Sequence, residues 1–321
     1  MKNFDIHKGI DMKLSYNTIA AALLSTLSVS AFAGDVVIYG KANLTAQSSD
    51  DGNGEGSYTE IKSNASRIGF KGGQDLGDGL EVIFKAEFQV DLDGDSDKGD
   101  SITDRNQYLG LKGSFGTVLL GKNDTVLKQS QGKVDLFSDL NADIKKLWKG
   151  ENRMSDTITY KSAKFNGLQV GVTYIAEDAV DAEDATSIAI FYGDKALKKS
   201  KFYAAFAVDS EVNGYDTTRL TVQSKLAGFT LGAIVHKQEK VSDGSEVDGF
   251  LVSAKYSFDK VTVKAQLQTA EHDGGDDRSG MTFGADYKLA KSTKVFAYFT
   301  TFDMDSEEDK DYLALGMEYK F

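Results

Sequence analysis

The sequence predicts an all-β fold, a transmembrane antiparallel up-and-down β-barrel of about 16 strands, and three observations predict it. The first is the stretch 311–321, which alternates strictly. Leu313, Leu315, Met317, Tyr319 and Phe321 point one way; Tyr312, Ala314, Gly316, Glu318 and Lys320 point the other. The second is that an export signal opens the chain that this two-faced strand closes. The third is that the connections between such strands alternate between tight turns and longer acidic loops. One strand face in lipid and the other in a wet lumen produces the alternation, and short turns opposite long loops go with it.

The export signal comes first along the chain. Lys13 precedes the apolar run 19–29 and then Ala31-Phe32-Ala33. This is a charged region, a hydrophobic region and an A-x-A cleavage site. The run is too short to cross ~30 Å of hydrocarbon as a helix. Residues 1–33 are therefore expected to be a cleaved signal peptide, with Met12 as an alternative start because Met12-Lys13 alone supplies the charged region. Residues 34–321 are expected to be the barrel, including a long loop over 125–153.

Composition narrows the remaining choices. No later segment approaches ~20 consecutive apolar residues, which excludes helical membrane spans. The chain has no Cys, so disulfides and thiolate metal sites are absent. It also has no Pro, which suits long paired strands because Pro removes a ladder donor. A net charge of −12 argues against nucleic acid as a partner. The mean hydropathy of −0.33 resembles that of a soluble protein, but alternation hides a lipid face from any average. After the signal only His236 and His272 remain. A nucleophile with an adjacent base is hard to build from them, so no enzyme and no cofactor is expected. His236 lies toward the outer end of a strand and is expected at the surface.

Sixteen strand-like segments follow: 36–47, 57–71, 80–92, 103–113, 116–123, 156–164, 168–176, 186–193, 201–209, 216–226, 228–238, 248–258, 260–271, 280–290, 294–303 and 311–321. Val82, Phe84, Ala86, Phe88 and Val90 oppose Glu81, Lys85, Glu87, Gln89 and Asp91. Val261, Val263, Ala265 and Leu267 oppose Thr262, Lys264, Gln266 and Gln268. Period two with one apolar face is a half-buried strand. A one-residue slip would put charges in lipid, so the register is strongly specified. Outward aromatics such as Tyr256, Phe258, Tyr287 and Phe321 are expected to form interfacial girdles.

Tight connections include Ser114-Phe115, Ala227-Gly228 and Asp259-Lys260. The longer acidic ones are 48–56, 93–101, 177–184, 239–247, 272–279 and 304–310. Asp91, Asp93, Asp95, Asp97 and Asp100 begin like a calcium loop, but Ser96 replaces the expected Gly and Ile102 the closing Glu. A solvated loop is the plainer reading; a weak divalent-cation contact bridging lipopolysaccharide is the sharper one.

The connection 125–153 differs from all of these. Leu136, Leu140, Ile144 and Leu147 recur at helical spacing beside Phe137 and Trp148, and Gly150 could cap the end. The spacing predicts a helix of three or four turns packed inside the barrel. So long a loop is uncommon unless it is functional or disordered.

Lys41, Arg67 and Lys85 come from consecutive strands and oppose apolar neighbours, which places them on the inner face. Arg105 on the next strand is in phase with Leu109 and Leu111, so alternation alone does not settle its side. A cationic ladder facing Asp135, Asp139 and Asp143 of the long loop would set a transverse field across a narrow passage and tune ion selectivity. Lys145, Lys146 and Lys149 on the same loop blur its sign.

Val37-Ile38-Tyr39-Gly40-Lys41 and Ser66-Arg67-Ile68-Gly69-Phe70-Lys71-Gly72 resemble the first and second strands of the Gram-negative general diffusion porins. Arg105 with Leu109-Gly110-Leu111-Lys112, then Phe115-Gly116 and Leu120-Gly121-Lys122, resembles the fourth and fifth. Arg153 followed by Ile158-Thr159-Tyr160 resembles the re-entry after the constriction loop, and Tyr319-Lys320-Phe321 the terminal assembly signal. The family's Pro-Glu-Phe-Gly-Gly stretch is absent from the loop.

The resemblance implies a homotrimer in the outer membrane of a Gram-negative bacterium. The third loop folds inward, and ions and small hydrophilic solutes diffuse passively. It implies contact with the lipid bilayer and lipopolysaccharide, and recognition of Phe321 by the outer-membrane insertion machinery. By position Lys41, Arg67, Arg105 and Arg153 match the family's basic cluster, and Asp135 and Asp139 fall where its loop acids sit; Lys85 and Asp143 join them from the cationic ladder and the loop it faces, and Lys122 is counted with the constriction bases. The alternative is a substrate-specific channel with a saturable sugar or anion site, in which Tyr39, Phe296 and Tyr298 form a stacking path.

Overall fold

A computed structural model describes residues 36–94, 100–177, 184–305 and 308–321. The expected signal peptide, and Asp95 and Asp97 of the acidic run, lie outside the described residues.

Alternating β-branched, aromatic and polar residues pair into one antiparallel sheet that closes on itself. β1 (Val37–Asp50) pairs on one side with β2 (Tyr58–Ser63) and β3 (Arg67–Gly77). On its other side it pairs with the final strand, β17 (Lys310–Lys320). Between these, each strand pairs with the next: β4 (Leu80–Val90), β5 (Ile102–Gly113), β6 (Gly116–Asp124), β7 (Arg153–Ser162), β8 (Leu168–Ile175), β9 (Ala185–Gly193) and β10 (Phe202–Val212). The wall continues through β11 (Tyr215–Leu226), β12 (Phe229–Lys240), β13 (Glu246–Phe258), β14 (Val261–His272), β15 (Arg278–Lys288) and β16 (Thr293–Asp303). Closure leaves no free sheet edge, which is what a sheet needs in hydrocarbon. The seam is completed by Gly40 and Phe321, whose backbone N–H groups donate to each other's carbonyls at 3.0 and 3.2 Å.

The wall has sixteen staves because β2 and β3 are two halves of one. The expected strand 57–71 is therefore interrupted, and it continues to Gly77. Ala65 at the break has φ 50°. Asn43 on β1 fills the gap: its carbonyl accepts from Asn64 N–H at 2.8 Å, and its N–H donates to Ser66 Oγ at 3.0 Å.

The two faces differ as alternation requires. Leu315 on β17 is 65% exposed while its neighbour Ala314 is 3% exposed. Tyr256, Phe258, Tyr287 and Phe321 are all exposed on the outer face. The phase of Arg105 is explained by a bulge. Ala86 pairs with Gln107 but Phe88 pairs with Asp104, so β5 carries one extra residue there. The extra residue inverts the parity. Arg105 is buried inside while Leu109 and Leu111 are exposed outside.

Tight turns gather at one rim. Ala227 and Gly228, both at positive φ, link β11 to β12 as hairpin turns demand. The asymmetry has two exceptions. Asn213-Gly214 makes a two-residue turn at the long-loop rim, and the connection 194–201 lengthens the short-turn rim.

The helix expected from Leu136 to Leu147 does not form. The segment holds only α1 (Val126–Ser130) and one 3-10 turn, Ile144–Lys146. Its apolar residues are still buried, including Phe137, Leu140, Ile144 and Trp148. The cause is acidic side chains that take backbone N–H groups a helix would have used. Asp135 Oδ1 accepts from Phe137 N–H at 2.9 Å and its Oδ2 from Ile144 N–H at 3.2 Å. Asp139 sits at φ 71°, which ends any helical run.

Candidate functional site

The segment 125–153 touches staves all round the ring. Ser130 O accepts from Tyr203 Oη on β10 at 2.9 Å, and Lys133 O from Gln223 Nε2 on β11 at 3.0 Å. Val134 O accepts from Ser253 Oγ on β13 at 2.6 Å, and Leu136 N–H donates to Gln266 Oε1 on β14 at 2.9 Å. Asp139 meets β1 and β3. Every contact is on the face opposite the exposed apolar residues. A segment that reaches the same face of so many staves of a closed ring lies inside it.

Two inward glycines let the segment approach the wall. A Cβ on Gly249 would stand 2.4 Å from Trp148 Cε2, and one on Gly284 would stand 2.7 Å from Phe137 Cε1. Trp148 also donates from Nε1 to Thr269 O at 2.7 Å and stacks on His236 at 4.9 Å and 6°. His236 is therefore buried, not at the surface: it also accepts at Nδ1 from Arg219 Nε at 3.3 Å. Arg219, fully buried, pairs with Glu151 at 2.6 Å. This clamps the far end of the segment.

The near end meets a basic wall. Asp139 Oδ2 lies 2.8 Å from both Lys41 Nζ and Arg67 Nη2. Against the upward push of burial, these two cations hold the Asp139 carboxyl well below the usual carboxylate range. Beside them Glu87 on β4 binds Arg105 at 2.9 Å and Lys85 at 3.1 Å, with Arg67 at 4.0 Å. Tyr39 donates to the same carboxylate at 2.8 Å. Arg153 pairs with Asp124 at 3.0 Å and donates to Asn106, the neighbour of Arg105.

Three of the expected constriction residues stand elsewhere. Lys122 pairs in register with Gln107, which pairs with Ala86, on the outward face that carries Leu109 and Leu120. It forms no ion pair among the described residues. Asp135 and Asp143 are buried staples of the segment and do not face the bases. Asp143 accepts from Asp139 N–H at 2.8 Å and Lys145 N–H at 3.0 Å, so it orients Asp139 from behind. Burial and the adjacent Asp143 push the Asp135 carboxyl up. Phe296 and Tyr298 are buried; Tyr298 lies 6.1 Å from Phe137, so neither lines an open stacking path.

Sequence reasoning missed Glu87 as the centre of the basic cluster, although it shares the parity of Lys85 two residues away. It also missed the Arg219–Glu151 clamp, because nothing in the local pattern links residues so far apart.

A family model described as Gram-negative porin matches residues 20–307. The major outer membrane protein P.IB of Neisseria meningitidis serogroup A is 26% identical over 344 residues, covering 95% of this chain and 99% of that relative. An anion-selective porin from Comamonas acidovorans has the same fold, with a TM-score of 0.73 at 15% identity over 90% of this chain and 100% of that one. The trimer form of in-vitro folded OmpT from Vibrio cholerae aligns with a TM-score of 0.69 at 18% identity over 90% and 100% of the two chains. With a closed sixteen-stave wall, an apolar exterior and a family match over most of its length, the chain belongs to the Gram-negative porin family and forms an outer-membrane channel for passive diffusion.

Proposed function

We propose that the passage is narrowest where the 125–153 segment meets the wall formed by β1, β3, β4 and β5, and that this constriction favours small anions. One observation carries the reading. Six bases, Lys41, Arg67, Lys85, Arg105, Lys128 and Arg153, meet three carboxylates, Glu87, Asp124 and Asp139. The surplus is positive although the chain as a whole is acidic. The acids of the outer loops act over a Debye length of about 8 Å at physiological salt, whereas an ion in the constriction touches the wall directly. The wall therefore outweighs the mouth.

In this reading no reaction is catalysed. Residues 1–33 serve as a cleaved export signal. The channel is a homotrimer embedded in the bilayer, with lipopolysaccharide around its acidic loops, and the insertion machinery reads Phe321. The trimer form of the Vibrio cholerae neighbour supports the assembly. A sugar-stacking path is disfavoured, because two of its three aromatics are covered.

Swelling of proteoliposomes tests the open passage. Isotonic monosaccharide should enter quickly and a tetrasaccharide slowly. No swelling in monosaccharide would contradict the reading.

A further inference from the structure

A second basic cluster stands on the adjoining stretch of wall, beyond the β1–β17 seam, and its members bind none of the constriction carboxylates directly. A cavity of about 390 Å³ opens in the lumen between the inward segment and β13 to β17. Lys133 reaches it from the segment, Lys255 from β13, Lys264 from β14, Lys294 from β16 and Lys320 from β17. An adjoining cavity of about 230 Å³ continues it to the short-turn rim.

The carboxylates there are too few. Asp286 binds Lys264 at 2.9 Å and Lys294 at 3.0 Å. Glu318 binds Lys320 at 2.9 Å. Asp135 also borders the cavity, but its two oxygens are taken by the N–H groups of Phe137 and Ile144. Lys133 and Lys255 form no ion pair among the described residues. Like charges gathered without counter-charge repel, and a bound anion relieves that repulsion. The cluster is also held in shape. Lys264 Nζ sits 4.6 Å from the Phe137 ring and Lys294 Nζ 5.2 Å from the Phe296 ring. The rings and Asp286 fix where these two ammonium groups sit, and Lys264 also donates to Leu136 O at 3.5 Å, so the unpaired Lys133 and Lys255 are the groups left to meet a ligand.

We propose that this cavity is a binding site for a small multivalent oxyanion, one bearing phosphate or several carboxylates, which lodges there during its passage. The volume falls within the range of small-molecule sites, about 300–1,000 Å³. Several ammonium groups around one polyanion make charge-assisted hydrogen bonds, about twice as strong as neutral ones. A monovalent anion would recruit fewer of them and would not lodge. The proposal rests on the reading of the chain as an open channel.

The test is chloride conductance in planar bilayers with inorganic pyrophosphate added to both sides, each variant scaled to its own open conductance. Pyrophosphate should lower the current saturably, and acetate should not. Lys133→Gln combined with Lys255→Gln should raise the half-blocking concentration about tenfold. Lys85→Gln, outside the lining of the cavity, should move the reversal potential and leave the block in place. A half-blocking concentration unchanged in the double variant, or a block abolished by Lys85→Gln, would overturn the site. No saturable block of an open wild-type channel would also overturn it, whereas no openings in chloride alone would overturn the channel reading itself.

Discussion

The Asp139 carboxylate lies 2.8 Å from the Lys41 ammonium, across 98 residues of sequence. Arg67 reaches the same oxygen, so one loop acid pins the inward segment to two staves. Replacing it tests the clamp. Asp139→Asn keeps the shape and removes the charge. Because Asp139 is about a quarter exposed, the loss should be well below the cost of breaking a fully buried pair, on the order of 1–2 kcal/mol. The variant should conduct more per opening and prefer anions more strongly, read as single-channel conductance and reversal potential.

Glu87 should matter more to stability. It is buried and satisfies Arg105, Lys85 and the Tyr39 hydroxyl together. Glu87→Gln would leave those cations without their counter-charge, at about 3 kcal/mol. Thermal unfolding of the protein in detergent should come at a lower temperature. Glu87→Gln combined with Lys85→Gln should recover part of the loss, since it removes one of the stranded charges.

The Trp148 seat predicts a steric effect. Gly249→Val puts a branched side chain where the indole now lies, and overpacking costs about 1–3 kcal/mol. Trp148→Ala empties the seat instead, at about 3–5 kcal/mol. Both should loosen the inward segment while the wall stays closed. Added protease should then cut within 125–153 faster than in wild type, with the barrel's far-ultraviolet circular dichroism retained.

Asp135 predicts a pH dependence. Burial and Asp143 raise its folded-state value to about 8. A carboxyl raised on folding contributes stability that is complete below the ordinary carboxylate range and is lost as pH rises through the raised value. Asp139 has the opposite sign: its depressed value means its contribution is lost only as pH falls below the ordinary range. The segment should therefore be held most tightly in mild acid, loosen progressively as pH rises to about 8, and change little beyond that. Current noise in wild type should grow between about pH 5 and about pH 8 and level off above that. Asp135→Asn should stay quiet across that range.

What could be read from the sequence follows from what is periodic. The segment expected at 260–271 is β14, Val261–His272, because period two exposes a strand's faces directly. Lys41, Arg67 and Lys85 stand on the inner face for the same reason. Arg105 could not be placed, because the bulge that inverts β5 leaves no mark in the sequence. Lys122 follows plain parity from Leu120 to the outer face, so counting it with the constriction bases went against the alternation. The helix over 136–147 failed because apolar spacing was read without the acids between, which bind the backbone themselves. His236 was misplaced because its partner, Trp148, arrives from a loop whose path no local pattern encodes.

The most direct test of the account is the reversal potential of single channels under a potassium chloride gradient, for wild type, Arg67→Ala and Arg105→Ala. The account predicts that chloride is more permeant than potassium in wild type and that each substitution moves the potential toward potassium. A wild-type channel that prefers potassium, with a reversal potential indifferent to both arginines, would contradict a constriction governed by the basic wall.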